Sequence, residues 1–110
     1  MYDLNNLRLL ERLAHHTPAA FAGYQALDAA AFAPGAIPPK YKELIAVAVA
    51  TATQCAYCLH VHGRQAAEAR ATEQELAEAV AIAIALRAGG ALTHATHALA
   101  ASRAGDAVCR

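Results

Sequence analysis

Residues 42–86 read KELIAVAVATATQCAYCLHVHGRQAAEARATEQELAEAVAIAIAL, and the fold turns on how this stretch is taken. Ile45, Val47 and Val49 alternate with alanine, as do Val80, Ile82, Ile84 and Leu86, and a period of two is the usual mark of a strand. Alanine, however, is poor in strands and the best helix former. Neither segment is bounded by turn residues at strand length, and Thr72 with Glu75 forms a capping box that opens the second one. Both are therefore expected to be buried helices in an all-α subunit of about five helices. From Leu44 to Gly63 no Asp, Glu, Lys or Arg occurs, over a length sufficient to span a bilayer. Thr51, Thr53, Gln54, His60 and His62 are too polar for lipid and place that stretch inside protein.

Working outward, residues 3–14 set Leu4, Leu7, Leu10 and Ala14 at helical spacing, with Asp3 or Asn5 as the cap. Thr17 and Pro18 form a cap and first-turn pair for a second helix to Phe32, with Phe21, Tyr24, Leu27 and Ala31 on one face. Pro34, Gly35, Pro38 and Pro39 then break the chain between this preparatory hairpin and the main body. At the other side, Gly89 and Gly90 are expected to end a helix, with Ala91 to Arg103 forming the last one. The whole is read as a single domain over residues 1–110, its core motif region lying at 40–88.

Of the 110 residues, 57% are hydrophobic, but 32 are alanine, so the bulk available for a core is smaller than the percentage implies. Two segments that are apolar nearly all round have too little surrounding protein to bury both in so short a chain, and self-association is expected. Nine basic residues balance nine acidic ones. That excludes the footprint of a nucleic-acid binder and the polybasic patch of a membrane-surface protein. Three cysteines at uneven spacing do not make a disulfide framework. The opening MYDLNNLRLLER carries charge where a signal peptide needs an apolar run, so a reducing cytoplasmic setting is expected.

The segment carrying chemistry is Gln54-Cys55-Ala56-Tyr57-Cys58-Leu59-His60-Val61-His62. Cysteines three apart on a helical turn have Cα atoms roughly 5 Å apart, within reach of a reversible disulfide. His62 lies four residues after Cys58 and shares its face, while His60 falls nearly opposite. A helix starting near Cys55 would surround its sulfur with unpaired N–H groups and favour thiolate. Lowering a thiol pKa from about 8.5 to about 7 raises the thiolate fraction some 16-fold, yet a Brønsted slope near 0.5 weakens each thiolate about 5-fold, a net gain of about 3-fold. A positioned acid or base contributes on the order of 10²-fold or more, which is the role open to His62. Glu43 is the nearest upstream carboxylate. Were residues 43–62 one helix it would stand nearly 30 Å from His62; if the chain reverses just before Cys55, the offset falls to about 8 Å, which a Glu side chain and one water would span.

Glu43, eleven intervening residues, Cys55-x-x-Cys58, three more residues and His62 reproduce the pattern of the alkyl hydroperoxidase D branch of the carboxymuconolactone decarboxylase superfamily, which the chain resembles over residues 42–86. The resemblance implies an all-α subunit in trimers or hexamers, acting on a hydroperoxide or disulfide substrate with an external thiol or dithiol reductant and no bound cofactor or metal. It further implies that Cys58 forms a sulfenic acid, that Cys55 donates a proton and then resolves it as the disulfide, and that His62 with Glu43 relays protons. Where the best-studied type has histidine before the second cysteine, this chain has Tyr57.

Other readings stand beside that one. Cys55 and Cys58 also suit inert core positions, and with His60 and His62 they have the residue types of a zinc site in a non-enzymatic metal-binding or assembly module, although the two histidines point to opposite helix faces. A third reading is a same-fold enzyme on another small molecule, with the cysteine pair as a regulatory switch. Glu43 at a helix start is favoured by the dipole whatever its role. His94 and His97 share a face and read as interface or surface residues. His15 and His16 suit a helix C-terminus, Cys109 reads as an exposed thiol, and Tyr57 either packs or offers its hydroxyl to the site.

Overall fold

The computed structural model describes residues 2–103, so Cys109 lies outside the described residues. They form a 3-10 segment (Leu4–Leu9) followed by α1 (Leu10–His16), α2 (Pro18–Phe32), α3 (Pro39–Thr53), α4 (Ala56–Glu68), α5 (Glu73–His94) and α6 (Thr96–Arg103). Among the described residues there is no strand. The nearly continuous α5 and α6 bring the long helical pieces to five. Alternating valine and alanine thus sits on helices: in α3, Val47 turns inward while Val49 faces out.

Several local expectations are corrected. The first helix begins as a 3-10 segment, capped by Asp3, whose carboxylate accepts the Asn5 N–H at 2.9 Å. Thr17 does not cap α2: its hydroxyl donates back to Leu13 O at 2.8 Å, and Pro18 alone supplies the start signal. Gly89 and Gly90 do not end α5, which runs through both. Neither has positive φ, so neither adopts the left-handed geometry that stops a helix. Each costs about 1 kcal/mol against alanine, too little to break a long alanine-rich helix. The turn comes instead at Ala95.

Two stops that carry no glycine shape the main body. Gln54 takes left-handed geometry (φ 60°, ψ 45°), with its N–H on Thr51 O at 3.3 Å and the Cys55 N–H on Ala50 O at 3.0 Å. Arg70 (φ 69°) repeats the arrangement, its N–H on Ala67 O and the Ala71 N–H on Ala66 O. Both are Schellman closures, which satisfy the last carbonyls of a helix and turn the chain sharply. The first divides the uncharged stretch 44–63 into α3 and α4, so it is not a membrane-length helix. Residues Glu73–Arg103 do form a 31-residue stretch long and apolar enough to cross a membrane by length and composition.

Helix α3 packs against both α4 and α5. The buried positions are Leu44, Val47 and Ala50 from α3, Ala66 from α4 and Ala83 from α5. With alanine at three of five contacts the helices approach closely but bury little volume. Lys42 fastens the preceding hairpin, its ammonium donating to Ala31 O (2.9 Å) and Ala33 O (2.5 Å) at the end of α2. At the start of α5, Thr72 Oγ1 accepts the Glu75 N–H (3.0 Å) and Glu75 accepts the Thr72 N–H (2.9 Å), completing the expected capping box. Glu75 also meets Lys40 at 3.0 Å, tying α5 to the start of α3.

The backbone hydrogen bond from Thr72, followed by the Lys40 ammonium, holds the Glu75 carboxyl below its usual 4.5. A carboxyl lowered on folding stabilises above its unfolded value and loses that contribution as pH falls through its folded value. The stability difference between the parent and Lys40→Met is therefore expected at neutral pH and disappears in acid well below 4.5. Thr72→Ala is expected to cost about 1 kcal/mol through loss of the cap. Thermal unfolding should register that cost as a fall of about 4–8 °C in Tm.

Candidate functional site

The reversal at Gln54 leaves Cys55 as the N-cap of α4, in extended geometry, with its sulfur accepting the Cys58 N–H at 3.2 Å. The helix start expected near Cys55 is thus where the structure has it, and Cys55 Sγ sits among the free N–H groups of the first turn. Cys55 and Cys58 are joined as a disulfide with Cα atoms 5.3 Å apart.

Running α4 back along α3 brings Glu43 and His62 together. Glu43 Oε2 lies 2.7 Å from His62 Nδ1, a direct contact where a water bridge was expected, because the imidazole adds its own length to the reach of the glutamate. A proton on Nδ1 donates to the carboxylate and leaves Nε2 as the free basic atom. Gln65, one turn after His62, joins the pair: with its amide nitrogen turned inward it donates to Glu43 Oε1 at 3.1 Å. Sequence reasoning did not single out Gln65, although its three-residue spacing from His62 is the available signal. Phe32, from the end of α2, stacks on the His62 ring with centroids 5.0 Å apart and planes within 10°. It too was missed, since no local pattern shows that α2 ends over α4.

Two clefts, of about 550 and 590 Å³, reach Cys58 and His62, and Phe32 lines both. Ile37, Ile45 and Val49 line the first, and Asn6, Leu7, Leu10, Glu43 and Gln65 line the second. Cys58 lines both and Cys55 lines neither, so the second cysteine is the one open to a small molecule.

The remaining candidates fall elsewhere. Tyr57 aims its hydroxyl at the first residues of the chain, where it accepts from Asp3 N at 3.2 Å. His94 and His97 meet edge to face with ring centroids 4.9 Å apart on an exposed surface. Among the described residues, no three His, Cys, Asp or Glu side chains gather as a metal cluster.

Residues 18–101 match the model of the carboxymuconolactone decarboxylase family. Among solved structures, a protein from Methanobacterium thermoautotrophicum is similar at 34% identity and a TM-score of 0.74, covering 81% of this chain and 97% of that one. A carboxymuconolactone decarboxylase family protein from Legionella pneumophila, solved in its apo form, is similar at 34% identity and a TM-score of 0.71, covering 88% of this chain and 87% of that one. No curated protein matches the chain. The helix hairpin that joins Glu43 to His62 thus lies within a match covering most of the sequence, and the chain belongs to the carboxymuconolactone decarboxylase family.

Proposed function

We propose that this chain is a thiol-dependent peroxidase or disulfide reductase of the alkyl hydroperoxidase D type. The observation that carries the reading is the Glu43–His62 bond of 2.7 Å beside a Cys55–Cys58 disulfide whose second sulfur lines both clefts. A decarboxylase has no use for a closed cysteine pair, and a zinc module would need those sulfurs free.

The cycle balances with the residues present and an external dithiol. Cys58 thiolate attacks the outer oxygen of a hydroperoxide, the O–O bond breaks, and the departing alkoxide takes a proton delivered by way of His62. Cys58 is now a sulfenic acid. Cys55 attacks that sulfur, the disulfide forms, and water leaves. One thiol of an external dithiol then attacks the Cys58 sulfur, which lines both clefts, forming a mixed disulfide and releasing Cys55 as a thiolate favoured by the N–H groups of the α4 start; the dithiol's second thiol displaces Cys58 and leaves the reductant as its disulfide. Two electrons pass from dithiol to hydroperoxide, and no bound cofactor is required. Glu43 holds the imidazole with Nε2 free, and Gln65 holds Glu43.

The reading includes assembly with other copies of this chain, with a trimer or hexamer expected. The accessible surface is 8596 Å², against about 5,800 Å² for a folded monomer of this mass. Ile82, Ile84 and Leu86 on α5 are each more than 60% exposed, and Ile45 and Val49 on α3 are about half exposed. Part of that apolar surface, Ile45 and Val49, lies on α3, the helix that also carries Glu43.

Treating the reduced protein with cumene hydroperoxide is expected to give the Cys55–Cys58 disulfide and one equivalent of alcohol, followed by mass spectrometry; thiols left unchanged would sink the peroxidase reading. His62→Ala should slow that step on the order of 10²-fold while leaving the helical circular dichroism intact. Sedimentation equilibrium should return a mass of at least three subunits; a monomer at micromolar concentration would contradict the assembly.

A further inference from the structure

Tyr57 lies between the two cysteines and takes no part in the steps above. Its phenol oxygen accepts the Asp3 N–H at 3.2 Å and the Asn6 Nδ2 at 3.3 Å. The ring packs on Tyr2 with centroids 4.8 Å apart. These partners are more than 50 residues away in sequence, so one side chain at the start of α4 moors the opening segment of the chain. Among the described residues, no other side-chain hydrogen bond ties residues 2–16 to α3, α4 or α5.

The moored segment borders the site. Asn6, Leu7 and Leu10 line the 590 Å³ cleft that also contains Cys58, Val61 and His62. We propose that Tyr57 is a positioning residue that holds residues 2–10 as a wall across this cleft, and that the wall restricts bulky apolar molecules from Cys58 while passing small ones. The inference rests on the reading of Cys58 as the attacking thiol. It does not require that the oxidant be a hydroperoxide.

A wall held by two neutral hydrogen bonds is easily released. Losing one such bond shifts an open–closed equilibrium by about 2- to 12-fold. Tyr57→Phe removes the shared acceptor and keeps the ring that packs on Tyr2. Asn6→Ala removes one donor from the other side and leaves the cysteine segment untouched.

The test uses the full-length reduced protein under limiting reagent, labelled with N-methylmaleimide or with the much larger N-(1-pyrenyl)maleimide, and tandem mass spectrometry to separate Cys55 from Cys58. In Tyr57→Phe the ratio of large-reagent to small-reagent rate at Cys58 should rise by about threefold or more, with a smaller rise in Asn6→Ala and no change at Cys55. Because each rate is compared between reagents on the same thiol, a change in Cys58 nucleophilicity cancels. An unchanged Cys58 ratio in both variants would overturn the proposal by showing that traffic passes through the other cleft. A rise of equal size at Cys55 would overturn it as well, by showing general loosening. Failure of the protein to reduce hydroperoxides would defeat the peroxidase reading and leave this ratio standing.

Discussion

The left-handed turn at Gln54 is the constraint on which the rest of the site depends. It ends α3, starts α4 one residue later with Cys55 as cap, and sends α4 back along α3. Without it, Glu43 and His62 would be separated by the length of a twenty-residue helix. With it they share a hydrogen bond, and the disulfide sits at the bend. A left-handed residue other than glycine is held against a cost of order 1 kcal/mol or more, so the surrounding structure must fix it. Here the fixing is local: the two Schellman hydrogen bonds at the end of α3 and the cap bond from Cys58 N–H to Cys55 Sγ.

Alanine links the two halves of this account. Ala50, Ala66 and Ala83 let three helices pack with little bulk between them, which is how a short chain brings the α3 and α4 backbones close enough for the Glu43–His62 bond. The same small residues leave too little volume to cover Ile82, Ile84 and Leu86. Close approach inside the subunit and uncovered apolar surface outside it therefore have one origin in the sequence.

The candidate site was legible where chemistry constrains spacing. Cys55, Cys58, His62 and Glu43 follow from intervals in the sequence, and Thr72 with Glu75 marks the start of α5 through a capping rule that acts within four residues. What escaped depends on contacts between distant elements or on backbone geometry with no residue signature. Gln54 and Arg70 adopt left-handed turns that glycine would have advertised, whereas Gly89 and Gly90 advertise a stop that the alanine-rich helix overrides. Phe32 over His62 and Tyr57 on Asn6 are visible only once the first hairpin is folded onto α4. The reversal before Cys55 was needed for Glu43 to matter at all, and the expected bridging water is not needed, because the glutamate and imidazole together span the backbone offset and meet directly.

In the proposed function Glu43 acts on the cysteine pair through His62 and not independently of it. A double-mutant cycle measures this directly, using the rate at which reduced protein forms the Cys55–Cys58 disulfide with cumene hydroperoxide in the parent, Glu43→Gln, His62→Ala and the double variant. Removing Glu43 is expected to slow the parent but to add nothing once His62 is gone, so that the double variant matches His62→Ala. Losses that multiply would contradict it, because Glu43 would then act by a route that does not pass through the imidazole.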